Sequence, residues 1–162
     1  MTNVFDKHKD KLVGVWTLIS AEMYDSEEPD RKLLDKPFGD DPQGKVVISA
    51  SGYLSGTLVK PEGLEPLASS DPTDAELLRI GRSLTTYGGF MTLLEQDDGS
   101  FLWHTKVEIG CNPNWIGKPQ TRVARFREEN GVAYMTLNPV KWYTLKDGRQ
   151  ARGEFKWRKI GS

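Results

Sequence analysis

Four short turn sequences separate the apolar segments of this chain, and they constrain its fold more than any other feature. They are Ser51-Gly52, Asp97-Asp98-Gly99, Asn130-Gly131 and Asp147-Gly148. Asn-Gly and Asp-Gly readily adopt the positive φ angles of tight hairpins, so each sequence predicts a turn between two strands. Eight strand-like segments surround these turns: residues 11–23, 44–50, 53–60, 84–95, 100–111, 120–128, 131–137 and 149–159. Eight strands joined mostly by hairpins predict an all-β fold, an antiparallel up-and-down barrel whose closure leaves no exposed edge strand.

One segment differs from the strand pattern. At residues 71–74 the sequence Asp-Pro-Thr-Asp supplies an N-cap, a proline for the first helical position and acidic residues for the first turn. The pattern predicts one short helix over residues 72–82, between the third and fourth predicted strands, with an apolar stripe of Leu77, Leu78 and Ile80. The polar stretches 25–43 and 60–70 are predicted to be long loops.

Charge and cysteine content argue against several classes of function. The 162 residues include 22 Lys and Arg against 23 Asp and Glu, a formal net charge of −1. This balance argues against a nucleic-acid or membrane partner, because both favour a basic surface. The single Cys111 and the widely separated His8 and His104 make no metal-ligand pattern, and no glycine-rich phosphate loop is present, so we expect neither a metal site nor a cofactor. The N-terminus is charged and has no apolar signal peptide, so we expect a cytoplasmic protein, a monomer or homodimer, with one domain over residues 1–162.

Residue parity predicts which side chains face the barrel interior, because successive residues of a strand point to opposite faces. In the first strand the large Trp16 favours the even-numbered set, and in the segment 100–111 the apolar odd-numbered set ends at Cys111, which we expect to be buried. Trp16 is predicted to fill the barrel floor beneath a cation from Arg158 or Lys159. The predicted ligand-binding residues are the inward-facing Trp16, Leu18, Ser20, Trp103, Thr105, Val107 and Phe126.

An ordered series of short motifs runs along nearly the whole chain. It comprises Gly14-Val15-Trp16, Pro37-Phe38-Gly39, Asp41-Pro42-Gln43-Gly44, Ser51-Gly52-Tyr53-Leu54-Ser55, Tyr87-Gly88-Gly89-Phe90, Pro113-Asn114-Trp115-x-Gly117-x-x-Gln120-x-Arg122 and Trp157-Arg158-Lys159. This succession resembles the lipocalin-like domain family of bacteria and fungi. The resemblance implies one lipocalin-like barrel and, since some fungal members lie among natural-product biosynthesis genes, a role in secondary metabolism. Family sequences often carry a His in the strand before the Pro-Asn-Trp turn, a place that falls on Thr105 here, with His104 one residue away.

Four residues are candidates for catalysis. Tyr53 and Tyr87 either donate a phenolic proton to a carbonyl or fill the barrel. Arg122, if it points inward, presents donors that suit a carboxylate or enolate oxygen; if it points outward, it is a solvated strand charge. Glu22 is either a general base in the barrel mouth or an exposed residue at a strand end.

These features predict a barrel that binds a small, largely apolar or aromatic molecule, polycyclic molecules included. One hypothesis is a cofactor-independent isomerase or cyclase of secondary metabolism that holds a reactive intermediate in one conformation. The alternative is a non-catalytic carrier. Fatty-acid-binding proteins share the Gly-x-Trp start, but they place two helices directly after the first strand, where this chain has a polar loop.

Overall fold

Ten β-strands and two α-helices make up the computed structural model, which describes residues 2–162. The strands are β1 (Gly14–Tyr24), β2 (Leu33–Asp35), β3 (Gln43–Ile48), β4 (Tyr53–Val59), β5 (Leu84–Glu95), β6 (Phe101–Gly110), β7 (Pro119–Glu129), β8 (Val132–Pro139), β9 (Tyr143–Thr144) and β10 (Gln150–Gly161). The helices are α1 (Phe5–Leu12) and α2 (Asp74–Ser83), and short 3-10 turns lie at Pro61–Gly63 and Pro113–Trp115.

Eight of the strands form a closed antiparallel barrel. The long strands pair in the order β1-β3-β4-β5-β6-β7-β8-β10, and β10 pairs back with β1. The short strands β2 and β9 lie beside β1 and β10. The glycines of the four predicted turns have φ angles between 78° and 87°, as tight turns of this kind require. The predicted eight-stranded up-and-down barrel is therefore confirmed.

Helix α2 lies where the sequence predicts a helix, but it starts at Asp74 because Thr73 is the N-cap. The Thr73 hydroxyl accepts a hydrogen bond from the Glu76 backbone N–H at 3.2 Å, and the Glu76 carboxylate accepts one from the Thr73 N–H at 3.0 Å. This reciprocal pair satisfies two backbone donors that the first helical turn leaves without partners.

Helix α1 was not predicted, and it corrects the expectation that residue 11 begins the first strand. Phe5 and Leu12, seven residues apart, lie on one face of α1 and are both buried. The chain enters β1 through Gly14, which has a φ of 137°. A Cβ atom on Gly14 would stand 2.2 Å from the backbone oxygen of Gly161, so only glycine fits this junction.

A β-bulge in β1 reverses the predicted parity for the second half of that strand. Leu18 pairs with Trp157 and Ser20 pairs with Lys156, so Ile19 is an extra residue without a partner on β10. Beyond the bulge the buried residues are Ala21 and Met23 instead of Ser20 and Glu22. The prediction that Ser20 and Glu22 face inward is therefore wrong.

A second bulge, in β6, corrects the predicted environment of Cys111. Val107 pairs with Gly89 and Ile109 pairs with Gly88, so Glu108 is the extra residue. After it the odd-numbered side chains no longer face inward: Ile109 is 68% exposed, and Cys111 is exposed rather than buried.

The barrel end beside α1 is filled by side chains. Trp16 is fully buried there, and its Nε1 donates a hydrogen bond to the backbone oxygen of Leu12 at 2.9 Å. Of the two cations predicted to cap it, Lys159 lies over the Trp16 ring, with Nζ 5.9 Å from the ring centroid. Phe5, Leu12 and Trp16 thus belong to one buried core at this end of the barrel.

Candidate functional site

A cavity of about 220 Å³ occupies the barrel end opposite α1. Most of its wall is apolar and comes from inward-facing strand residues, among them Met23, Val46, Leu54, Leu58, Trp103, Leu137, Phe155 and Trp157. Pro37 and Phe38 close part of the wall from the loop between β2 and β3. An apolar wall with a few convergent polar groups is typical of small-molecule sites.

The polar side chains of the cavity converge on it from β5, β7, β9 and the loops around them. They are Lys60, Thr85, Tyr87, Gln120, Arg122, Lys141 and Tyr143. None of the cavity-lining residues described is an Asp or a Glu. The cavity therefore presents hydrogen-bond donors and positive charge with no opposing carboxylate in its wall.

Arg122 is half-buried on β7, and its side chain contributes to the cavity wall. Its Nη1 donates a hydrogen bond to the backbone oxygen of Thr121 at 3.0 Å. Within residues 2–162 no carboxylate forms an ion pair with the Arg122 guanidinium. The remaining N–H donors are thus available to a ligand oxygen.

Lys141 lies at the cavity mouth, where its ammonium group is close to two aromatic rings. Its Nζ is 4.9 Å from the ring centroid of Tyr143 and 5.9 Å from that of Trp115. Partial burial of the ammonium lowers the pKa of Lys141, and the nearby charge of Arg122 lowers it further, although much of the side chain still meets solvent. The two cations repel each other across the mouth.

Tyr143 contributes a phenol that stays protonated at neutral pH. Burial raises the pKa of Tyr143 above its usual value of 10.0; the Arg122 charge partly opposes this rise, and Tyr87 adds to it. A protonated phenol can donate a hydrogen bond to an oxygen in the cavity. The ring of Tyr87 packs edge-on against Trp115, with 6.0 Å between the ring centroids, and so forms part of the rim.

Two buried tryptophans in the wall differ in their hydrogen bonding. The Nε1 of Trp103 donates to the hydroxyl of Thr105 at 2.8 Å. The buried Nε1 of Trp157 has no hydrogen-bond acceptor among the residues described. A buried N–H without an acceptor costs about 1–3 kcal/mol, and this Nε1 is too deeply buried for a ligand in the cavity to contact it without a rearrangement.

Three of the predicted site residues line this cavity, namely Tyr87, Arg122 and Trp103. Thr105 and Val107 are buried, but neither is part of the cavity wall. Thr105 accepts the hydrogen bond from the Trp103 indole. Leu18 is buried in the core, also outside the cavity wall.

Trp16 and Phe126 lie outside the cavity. Both line a broader open groove of about 640 Å³ between α1, the β7–β8 hairpin and the end of β10. Phe126 packs against Phe101 there, with 5.5 Å between the ring centroids. The groove has a charged rim that includes Lys11, Arg127 and Glu128, and it does not connect these aromatic residues with Arg122 or Tyr87.

Tyr53, Ser20 and Glu22 lie on the outer surface of the barrel. Tyr53 alternates with the buried Leu54 on β4 and packs edge-on against the exposed Phe90, with 5.1 Å between the ring centroids. The Glu22 carboxylate accepts a hydrogen bond from the Tyr24 hydroxyl at 2.9 Å. The structure therefore does not bring these residues together with Arg122.

The functional groups that sequence reasoning missed are Lys60, Lys141 and Tyr143. Lys141 and Tyr143 lie in the short connection after β8 and in the two-residue strand β9, where no alternating pattern predicts the inward face. The signal nearest to them was the run Lys141-Trp142-Tyr143, because a basic residue beside aromatic residues can form cation–π contacts. Lys60 directly follows β4 and has the parity of the inward-facing Leu54 and Leu58, so alternation along the predicted strand 53–60 was a signal for it.

Within residues 2–162 no group of three or more His, Cys, Asp or Glu side chains is placed to hold a metal ion. His104 lies on the outer face and hydrogen-bonds through Nδ1 with the Thr121 hydroxyl at 2.8 Å.

Neither α1 nor α2, the α-helices of the described chain, is long and apolar enough to cross a membrane.

The chain was compared with known proteins and structures. The model of the lipocalin-like domain family matches residues 13–160. No curated protein matches the sequence. Among solved structures, the chain is similar to a complex of bovine odorant binding protein with a selenium-containing odorant, at 12% identity and a TM-score of 0.33, over 94% of this chain and 72% of that one. Because the family match spans most of the sequence and the fold is a closed eight-stranded barrel, the chain belongs to the lipocalin-like domain family.

Proposed function

We propose that this protein binds a small, largely apolar or aromatic molecule inside its barrel. The observation that carries the proposal is the cavity itself, which has an apolar wall, polar groups on one side and an opening at one end of the barrel. Ligand sites in proteins share this combination of an apolar surface and a few orienting polar groups.

The volume of the cavity limits the size of the ligand. An engineered cavity of roughly 150 Å³ accommodates benzene, so the 220 Å³ available here suits a substituted single ring or a fused bicyclic molecule. A larger polycyclic ligand, which the sequence left open, would have to displace Pro37 and Phe38 from the wall.

A pair of neighbouring substitutions on β4 tests the proposal. Gly56 lines the cavity, and a Cβ atom there would meet only the side chains of Val46 and Leu54, at 3.4 and 3.9 Å. Gly56→Leu should therefore fold while its side chain fills much of the cavity. Ser55→Leu places the same side chain on the exposed outer face of the same strand and is the control.

The probe is 2-naphthamide, a neutral bicyclic molecule, and binding is measured by equilibrium dialysis. We expect binding by the wild type and by Ser55→Leu, and a loss of at least tenfold in affinity for Gly56→Leu. If Gly56→Leu binds the probe as well as Ser55→Leu does, the ligand site is not this cavity.

A second candidate function is catalysis by proton transfer, as a cofactor-independent isomerase or cyclase in secondary metabolism. The proximity of the Tyr143 phenol, whose pKa burial raises, to the Arg122 guanidinium favours it. In such chemistry the phenol would protonate the carbon of an enol and the resulting phenolate would recover its proton from the enol hydroxyl, while the guanidinium stabilises the enolate oxygen. A test is the keto–enol tautomerisation of phenylpyruvate followed by enol absorbance. An isomerase should accelerate it and Tyr143→Phe should abolish the acceleration, whereas a carrier should show none.

A further inference from the structure

We propose that the ligand of the barrel cavity is an organic anion, an aromatic carboxylate or enolate whose charged oxygen lies among Arg122, Lys141 and Lys60. This inference rests on the proposed function, because it names the chemical class of the molecule that the cavity takes. It follows from the charge of the cavity wall, from the absence of partners for that charge, and from the donors beside it.

The first observation is the one-sided charge of the wall. Arg122, Lys141 and Lys60 all line the cavity, and the lining residues described include no carboxylate. The chain as a whole has nearly equal numbers of acidic and basic residues, with a net charge of −1. Three cations around one small cavity therefore depart from the overall charge balance of the protein. A neutral ligand would supply no counter-charge to them.

The second observation is that these cations have no ion-pair partners in residues 2–162. Two other partly buried arginines are paired, because Arg31 contacts Glu154 at 3.0 Å and Arg152 contacts Glu27 at 2.6 Å, while the half-buried Arg79 donates to the backbone oxygens of two residues. A half-buried guanidinium with one backbone hydrogen bond, such as that of Arg122, lacks the compensation that those residues have.

The third observation is the mutual repulsion of the cations. Arg122 and Lys141 line the same small cavity, and the Arg122 charge adds to the effect of partial burial in lowering the pKa of Lys141. An oxygen anion placed between Arg122 and Lys141 turns this repulsion into two attractions. A neutral ligand has no comparable effect on these groups.

The fourth observation is that the nearby polar groups are donors. The Tyr143 phenol is protonated at neutral pH, as its ordinary pKa of 10.0 already requires and as burial, which raises that pKa, reinforces. The Tyr143 phenol and the Gln120 amide in the cavity wall can both donate a hydrogen bond. Donors and cations together match an oxygen anion, and the apolar remainder of the wall matches an aromatic or aliphatic body. The cavity volume of about 220 Å³ excludes a long-chain fatty acid folded inside.

The test compares two probes of nearly the same shape, 2-naphthoate and 2-naphthamide. At neutral pH the first is an anion and the second is neutral. Affinities are measured by equilibrium dialysis at low salt for the wild type, Arg122→Leu and Arg125→Leu. Arg125 is the matched control because it lies on the same strand but on the exposed face, where it pairs with Asp98.

We expect the wild type to bind 2-naphthoate about ten- to 150-fold more tightly than 2-naphthamide, which is the range for one charge-assisted hydrogen bond. Arg122→Leu should lose most of this preference and keep its affinity for 2-naphthamide. Arg125→Leu should behave as the wild type. If Arg122→Leu does not fold, the double variant Lys60→Met and Lys141→Met replaces it, because Lys141 is exposed and Lys60 is half-buried near the mouth.

The outcomes separate the two proposals. Equal affinity of the wild type for the two probes overturns the anion proposal and leaves the binding function intact. A preference for 2-naphthoate that persists unchanged without the cavity cations also overturns it, because the charge would then be recognised elsewhere. Binding of neither probe contradicts the proposed function and the anion proposal together.

Discussion

Trp16→Ala should be among the most destabilising single substitutions in this protein. Trp16 is fully buried at the filled end of the barrel, where its ring contacts the core. A buried aromatic side chain removes about 150–250 Å² from water, and truncating one to alanine in a core costs about 3–5 kcal/mol. The backbone oxygen of Leu12 also loses its hydrogen bond from the Trp16 indole, which places the expected loss at the upper end of that range.

The measurement is the free energy of unfolding from urea denaturation followed by circular dichroism. For a chain of this size, a loss of about 4 kcal/mol corresponds to a fall in melting temperature of about 8–16 °C. The matched control is Trp142→Ala, because Trp142 is 52% exposed and its ring stacks only beneath Arg152. We expect that control to lose less than about 1 kcal/mol.

A milder variant separates packing from hydrogen bonding at the same position. Trp16→Phe keeps an aromatic ring but removes the Nε1 donor to Leu12, so it should lose about 1–3 kcal/mol. A loss below about 1 kcal/mol for Trp16→Ala would refute the reasoning, because Trp16 could not then be a packed residue of the barrel floor.

Two further predictions concern pH and backbone strain. Burial raises the pKa of Tyr143 in the folded state above 10.0, so the stabilisation by the protonated phenol should be intact below pH 10 and be lost as the pH rises through the folded-state pKa. Urea melts between neutral and strongly alkaline pH should therefore show a smaller loss of stability in Tyr143→Phe than in the wild type. Gly14→Ala should destabilise the protein by more than about 2 kcal/mol, because a Cβ at φ 137° meets the Gly161 backbone oxygen. The control is Gly81→Ala in α2, where nothing lies within 4 Å of the added Cβ, and it should be neutral or stabilising in the same melts. A stable Gly14→Ala variant would contradict the proposed junction between α1 and β1.

The turns, the strands and α2 could be predicted because their causes are local in the sequence. Gly52, Gly99, Gly131 and Gly148 have positive φ angles that glycine adopts without strain, and each lies in a predicted turn. The capping box of α2 joins Thr73 to a residue three positions later. Alternation along the strands likewise placed Trp16 and Trp103 inside the barrel, whereas it left two directions open for Arg122, which the structure places in the cavity wall.

Two β-bulges could not be predicted from the local sequence. Whether β1 carries an extra residue at Ile19 depends on its register with β10, which lies more than a hundred residues away in the chain. The extra residue Glu108 depends in the same way on the pairing of β6 with β5. Because one inserted residue moves every following side chain to the opposite face, Glu22 and Cys111 lie outside although parity placed them inside.

The sequence by itself determined the barrel class, its tight turns and its tryptophan floor, since each follows from periodicity or from residues close together in the chain. Only the tertiary structure decided which polar groups share the cavity with Arg122. Lys141 and Tyr143 come from irregular or very short segments whose side-chain directions are set by packing against distant strands. Lys60 has an inward parity that alternation along β4 predicts, but only the closed barrel brings it near the other two residues. The charge of the cavity is therefore a property of the folded barrel, because no local pattern brings these three residues to one place.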